Sequence, residues 1–231
     1  MRVIKRKNTC DLNTCFLCGS CLKDWKSAVD VHKRNIKVKR GQQVFKEGDQ
    51  VQGIFFVYSG KVKVHKKWDD EKELIVRFGQ QGDVLGHLGL GGSGFYPVSA
   101  TVIEDAMLCF IQMDFLETTM SVNSAFVVKL MRLLAGELQE SERRMRNLAH
   151  MSVKGRVAQA LLSLQMQFGN DEDGFLDIEL SRQDLASFTG TSYESLFRTI
   201  NELLTEDVII VSGKRIAIKN ESVFREISVN Y

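Results

Sequence analysis

At 231 residues, with 44% hydrophobic side chains and a formal net charge of +2, the chain can bury one large core or two modest ones. No apolar run approaches the roughly 20 residues of a membrane span, and the basic start Met1-Arg2-Val3-Ile4-Lys5-Arg6-Lys7 lacks the apolar core of a signal peptide. These features argue against a membrane or secreted protein and lead us to expect a cytoplasmic one.

The first feature along the chain is chemical. Four of the five cysteines fall within the first 21 residues, as Cys10-x4-Cys15-x2-Cys18-x2-Cys21, and Cys109 stands alone in a predicted strand, Met107 to Ile111. A C-x2-C-x2-C run is the spacing with which bacterial ferredoxins hold an iron–sulfur cubane, with a fourth thiolate from elsewhere. Disulfides belong to oxidising compartments. Zinc usually takes two C-x2-C pairs separated by a longer loop, and a lone strand cysteine such as Cys109 is commonly a small buried hydrophobe. Spacing alone leaves cluster, zinc and inert thiol open.

From about Arg40 to Ile111 the pattern is short strands punctuated by Gly41, Gly48, Gly53, Gly60, Gly79, Gly82 and Gly86. Ile54 to Tyr58, Val62 with Val64, Leu74 to Phe78 and Val98 to Val102 read as strands of a compact β domain. Gly89, Gly91, Gly92 and Gly94 read as a flexible loop, and Asp69-Asp70-Glu71 as a solvated turn. No nucleophile–base–orienter set or paired-carboxylate motif stands out, so no enzyme is expected.

A long helix is predicted over roughly Asn123 to His150. Val127, Met131, Leu134, Leu138, Ser141, Met145 and Leu148 recur at spacings of four and three, a heptad seam, while Glu137, Glu140, Glu142, Arg143, Arg144 and Arg146 flank it. The stripe either pairs with a second copy or packs on the chain's own domain. A second helix, Val153 to Phe168, starts at Ser152, stops before Gly169 and turns Val157, Leu161, Leu164 and Phe168 inward.

Ser181 to Leu204 spells two short helices around Gly190. Capping patterns at Ser181-x-x-Asp184 and Thr191-x-x-Glu194 open them. In the second helix Leu196, Ile200 and Leu203 form a buried stripe, and Glu194, Arg198 and Asn201 a polar one facing away. Glu194 and Arg198 also fit an ordinary surface ion pair. Val208 to Val211, a turn at Ser212-Gly213-Lys214-Arg215, and Ile216 to Ile218 make a hairpin after the helix, so the order is that of a winged helix-turn-helix. From Met151 onward the chain has 8 basic against 12 acidic residues, a balance of −4, so any DNA contact rests on local placement. Lys154, Arg156, Arg182, Arg198, Lys214 and Arg215 are expected near that surface, with Asp171-Glu172-Asp173 in a loop elsewhere.

These motifs, in this order over nearly the whole chain, resemble the Crp/Fnr transcription regulators. The resemblance implies an α+β fold in four parts. They are a cysteine-rich arm (1–24), a cyclic-nucleotide-binding-like double-stranded β-roll (25–114), a dimerisation helix (115–150) and a winged helix-turn-helix domain (151–231). It implies a homodimer on a palindromic double-stranded operator, contact with RNA polymerase, and base-edge contacts from Glu194 and Arg198. Ser192, Tyr193, Ser195 and Arg182 are expected around them, while Phe197 either touches a thymine methyl or packs inward.

Gly82-Asp83-Val84-Leu85-Gly86 is a close match to the family's roll, but after Gly86 the positions where cyclic-AMP-binding members carry a ribose-binding Glu and, about ten residues later, a phosphate-binding Arg read His87 and Pro97. Cyclic AMP is therefore not expected. Gly92-Ser93-Gly94-x-x-Pro97 looks like the oxygen-sensing Fnr branch, in which three N-terminal cysteines and one distant cysteine hold a [4Fe–4S] cluster. By that resemblance Cys15, Cys18, Cys21 and Cys109 are the ligands and Cys10 is spare, although Cys18-x2-Cys21 is tighter than the branch's spacing. Ser141 stands where oxygen-sensing relatives place an Asp that opposes dimerisation, which implies a dimer even without the cofactor. The alternatives are a small molecule in the roll, haem on one of His32, His65, His87 or His150, or a constitutive DNA binder with vestigial cysteines.

Overall fold

A computed structural model describes residues 2–4, 14–69 and 72–229. Cys10, with Asp70 and Glu71 of the acidic turn, lies outside the described residues. The chain divides into two compact units, Met1–Gly136 and Glu137–Tyr231.

Among the described residues the first unit holds an antiparallel sheet of seven strands: β1 (Arg2–Ile4), β2 (Arg34–Val38), β3 (Gln43–Phe45), β4 (Gly53–Lys67), β5 (Glu73–Gly79), β6 (Val84–Leu85) and β7 (Ser99–Gln112). The order is β1-β2-β7-β4-β5, with β3 also paired to β7 and β6 to β4. Two predicted strand pairs are in fact single strands. The segments around Ile54 and Val62 join as β4, and the expected turn at Gly60 is a bulge where the register with β7 shifts. Gly60 sits at φ +87°, and a Cβ there would lie 2.5 Å from the Asp105 carbonyl oxygen, so glycine lets the strand bend without ending. Val98 to Val102 likewise runs on through Cys109 as β7.

Alternation along β7 separates two cores. Leu108 and Phe110 point into the roll with Phe45, Phe55, Val57, Val62, Leu85 and Tyr96. Cys109 and Ile111 point the other way, against Phe16, Leu17, Cys18, Phe126 and Leu130. Helices α1 (Lys26–His32) and α2 (Met113–Val122), neither singled out from sequence, belong to this second layer. The Leu22 amide donates to Asn123 Oδ1 at 2.8 Å and Trp25 Nε1 to Thr119 Oγ1 at 3.1 Å, fastening the cysteine loop to the helices.

The long helix α3 (Ser124–His150) carries the chain from the first unit into the second. It is followed by α4 (Val153–Phe168), α5 (Arg182–Thr189), α6 (Tyr193–Thr205), the hairpin β8 (Ile209–Ser212) and β9 (Arg215–Ile218), and α7 (Glu221–Val229). The architecture is the α+β arrangement expected, with a β-roll, long helix and winged helix-turn-helix. Ser152 caps α4 by accepting from the Gly155 amide at 3.1 Å. The last helix went unread in the sequence, although Asn220 accepts the Val223 amide at its start and Phe224 is fully buried. Among the described residues, no helix is long and apolar enough to cross a membrane.

Candidate functional site

Helix α6 has the most sharply two-sided surface of the second unit. Leu196, Ile200 and Leu203 are buried, while Tyr193, Glu194, Phe197, Arg198 and Asn201 are exposed. Phe197 is 54% exposed, so it faces outward beside Arg198 and does not pack inward. This face has the chemistry of base-edge recognition: an arginine can donate two hydrogen bonds to guanine, a carboxylate can accept from cytosine, and an aromatic ring can meet a thymine methyl. The exposed Glu194 carboxyl is lowered by its own amide and the Ser192 hydroxyl, and to a smaller extent by the Arg198 charge. Arg198 itself donates to Ser195 Oγ at 3.4 Å.

The helix starts follow the local chemistry, with one correction. Ser181 caps α5 through the Asp184 amide at 2.9 Å, as the motif predicts. The cap of α6 is Ser192, one residue after the expected Thr191, and it accepts from the Ser195 amide at 3.2 Å. Thr191 is already used in the turn: its amide donates to the Ala186 carbonyl at 3.0 Å and the Gly190 amide to Ser187 at 3.4 Å, with Gly190 left-handed at φ +64°. That is a Schellman closure of α5, so the next helix can start only after it.

The basic residues sort differently from the expectation. Arg215 is held by Asp171 at 2.7 Å and Asp173 at 2.8 Å, and its guanidinium lies over the Phe175 ring. The acidic loop is therefore beside the wing and not elsewhere, because the Leu176 amide bonds to the Ile216 carbonyl and carries the loop there. Lys154 pairs with Glu206 at 2.5 Å, and Arg182 donates to the Gly213 carbonyl at 2.9 Å, linking α5 to the wing turn. Arg156 is spent on carbonyls of the helix-turn-helix. Of the six, Lys214 is exposed in the wing turn and Arg198 on the α6 face.

Along α3 the predicted seam is split. Met131, Leu138 and Met145 are each more than 60% exposed, and Ser141 is exposed. Val127 and Leu134 are half-buried, with Leu134 packed on the first unit's second core. The chain's own burial comes instead through Phe126 and Leu130. Leu148, partly exposed, lies against Gly190.

In the first unit Cys15, Cys18, Cys21 and Cys109 all join one apolar cluster, with Cys18 and Cys109 buried and the other two packed against it. None is in a disulfide. The loop is tight: Gly19 bonds back to Cys15 and Cys21 to Leu17, and the Cys18 amide points at Cys15 Sγ at 3.4 Å. Burial and the neighbouring Cys15 push the Cys21 thiol up to about 11, against the pull of Lys26. Among the described residues no three His, Cys, Asp or Glu side chains converge as one metal ion requires. A tetrahedral zinc would draw its thiolates to about 2.3 Å. A cubane takes one thiolate per iron and leaves them further apart.

Residues 35–123 match the cyclic nucleotide-binding domain and residues 155–227 the Crp-like helix-turn-helix domain. The anaerobic regulatory protein of Bacillus subtilis is 30% identical over 190 residues, covering 80% of each chain. The chain belongs to the Crp/Fnr family. The CRP-like cAMP-activated global transcriptional regulator of Mycobacterium tuberculosis is 28% identical over 183 residues, covering 78% of this chain and 82% of that one. The fold is shared with FixK2 of Bradyrhizobium japonicum at a TM-score of 0.75 and 23% identity, over 85% of this chain and 98% of that one. As a Crp/Fnr member this protein is a DNA-binding transcription regulator.

Aromatic rings fill the inside of the β-roll. Tyr96 stacks on Phe45 at 4.2 Å, Phe45 on Phe55 at 5.7 Å, and Phe55 lies 4.8 Å from Phe110. The Tyr96 hydroxyl donates to the Gly53 carbonyl at 2.7 Å, and burial raises its pKa. Gly89, expected in a flexible loop, is buried in a short 3-10 turn, His87–Gly91, where a Cβ would lie 2.7 Å from Val51.

A polar relay that sequence reading missed crosses β4, β5 and β7. His65 is 3% exposed, with Nε2 2.9 Å from Thr101 Oγ1 and Nδ1 2.6 Å from Glu73 Oε2, and Lys63 also pairs with Glu73. The His65 contact, followed by Lys63, overcomes burial and holds the Glu73 carboxyl at about 2. Each His65 ring nitrogen thus faces a side-chain oxygen. His32 stacks on Phe115 at 4.1 Å.

Proposed function

We propose that this Crp/Fnr regulator acts as a homodimer on a palindromic operator and reads it with the outward face of α6. The carrying observation is that Glu194, Phe197, Arg198 and Asn201 share one exposed face of a helix aimed by a closed Schellman turn and a serine cap. Arg198 and Glu194 read base edges, Ser192, Tyr193, Ser195 and Arg182 border the phosphates, and Phe197 covers a thymine methyl. The exposed Met131, Leu138 and Met145, with Ser141 between them, supply the seam for a second copy. Two copies then set their reading helices about one DNA turn apart. RNA polymerase is the protein partner, the cytoplasm the place of action, and no catalytic step is assigned. The parts are an arm (1–24), a sensor roll (25–114), a dimerisation helix (115–150) and a reading domain (151–231).

Its signal is redox, oxygen or nitric oxide, read through a [4Fe–4S] cluster on Cys15, Cys18, Cys21 and Cys109, which aligns the chain with the Fnr branch. The shared apolar cluster of these four thiols supports this, as does the Cys18 amide aimed at Cys15 Sγ, which would stabilise a thiolate. When bound, such a cluster supplies an oxidisable iron–sulfur core. Phe16, Leu17 and Phe126 exclude water from the thiols, and β7 holds Cys109 in register against Phe56 of β4. The uncharged Ser141 leaves the dimer intact without the cluster, so the signal reorients the reading domains. Cyclic AMP is disfavoured: Phe45 and Tyr96 fill the roll, and Pro97 occupies the phosphate-binding position.

Anaerobic purification with absorption spectra and iron and sulfide analysis tests the signal. A brown protein with about four irons per chain that bleaches in air, and a colourless Cys109→Ser variant, are expected. A colourless wild type that binds DNA equally with and without air would remove the redox reading. For the DNA reading, Arg198→Ala should lose about 1–3 kcal/mol on a duplex selected by the wild type and relax preference at one base position per half-site. Undiminished discrimination would take Arg198 out of that role.

A further inference from the structure

Turn carbonyls of the helix-turn-helix are taken up by arginines. The Schellman closure uses the carbonyls of Ala186 and Ser187, which leaves those of Phe188, Thr189 and Gly190 at the negative end of α5. Each receives an arginine from another helix. Arg144, on α3, donates to the Phe188 carbonyl at 2.8 Å while its guanidinium lies 4.8 Å from the Phe188 ring centroid. Arg156, on α4, donates to Thr189 at 3.1 Å and Gly190 at 3.4 Å, and through its other branch to Met151 at 2.9 Å, in the link between α3 and α4. Leu148 of α3 closes the contact from the apolar side: a Cβ on Gly190 would stand 2.5 Å from its methyl. Asn147, buried, bonds Gln159 at 2.6 Å and holds α3 to α4.

We infer that Arg144 and Arg156 are positioning residues for operator reading, a two-armed latch that ties the helix-turn-helix turn to the C-terminal half of α3. Ser192, the cap of the reading helix, lies two residues beyond Gly190, so the latch sets where Tyr193 to Arg198 begin. A change in the seating of this part of α3 is thereby transmitted to the reading face through hydrogen bonds and not through a flexible linker. Arginine suits the task because its planar fork spans two acceptors and its face stacks on an aromatic ring, which lysine cannot reproduce. Neither guanidinium needs to touch DNA. This inference rests on the DNA reading proposed above.

The test compares the full-length protein with Arg144→Met, Arg156→Met and Arg144→Lys. The probes are a duplex selected by the wild type from a randomised-core pool and a scrambled duplex of equal length. Each Met variant should lose about tenfold in affinity for the selected duplex, as expected for a half-buried charge-assisted hydrogen bond. Binding to the scrambled duplex, dominated by phosphate charge, should hold. Amide exchange at Thr191 should quicken, and Arg144→Lys should recover part of both effects. If Arg144→Met does not fold, Arg144→Lys and Arg156→Met carry the same readings. Full discrimination in the variants, or an equal loss on both duplexes, would overturn the latch. A wild type that selects no duplex would overturn the DNA reading instead.

Discussion

On helix α6 Glu194, Arg198 and Asn201 stand in water, and most of what aims them is near in sequence: Ser192 caps the helix, Gly190 bends the turn and Ser181 starts the helix before it. The cysteine loop is assembled from distant pieces. Its Leu22 amide reaches Asn123, 101 residues on, Trp25 reaches Thr119, 94 residues on, and its thiols share an apolar layer with Cys109 from the middle of a strand. An exposed site on locally specified elements tolerates small losses, since each cap or side chain contributes alone. A buried site drawn from strand, loop and helix depends on one packed layer, and damage there spreads to every member.

Phe126→Ala tests this contrast most severely. Phe126 is fully buried beside Phe16, at 6.0 Å edge-on, under the cysteine loop, so its truncation should cost about 3–5 kcal/mol. The chain's two tryptophans, Trp25 and Trp68, both lie in the first unit, so denaturant unfolding followed by tryptophan fluorescence reads that unit. A loss below about 1 kcal/mol would mean the layer repacks.

Acid provides the next largest effect. The Glu73 carboxyl is lowered from 4.5 to about 2 by His65 and then Lys63. A depressed carboxyl contributes stability above its unfolded value, and this is lost as pH falls from about 4.5 toward 2. With the side chain 24% exposed, we expect roughly 2 kcal/mol after allowance for solvent screening. Glu73→Gln should flatten the acid limb of stability in the first unit, and an unchanged limb would remove the relay from that role.

On the local side, Ser181→Ala should cost only about 1 kcal/mol, lowering the Tm of the second unit by circular dichroism while the tryptophan-reported transition stays in place. A shift of both transitions would show that the units are not energetically separate. The smallest effect at neutral pH is chemical: in metal-free protein, iodoacetamide should alkylate Cys21 more slowly than an unfolded chain until pH climbs toward about 11. Fast labelling at pH 7 would show that the loop opens.

How much could be read in advance follows the same division. Ser152, Ser181, the stripe Leu196, Ile200, Leu203 and the β8–β9 hairpin were legible because helix caps, helical periodicity and two-residue turns are specified within a few residues. Where several residues compete for one local task the reading slipped: Thr191 carries a capping pattern, yet its amide is committed to Ala186 and the cap passes to Ser192.

By itself the sequence determined the family, the winged helix-turn-helix, the long helix and the β-roll, since each rests on short-range periodicity and ordered motifs. Only the tertiary structure decided that Gly60 is a bulge within β4, and that Phe197 faces outward. It also decided that Arg215 is bound by Asp171 and Asp173, and that Cys109 turns away from the roll toward the cysteine loop. Each of these depends on strand register, on which face is covered, or on a partner more than forty residues away for Arg215 and Asp171. Such partners are chosen by packing and burial, and no window of neighbouring residues contains that information.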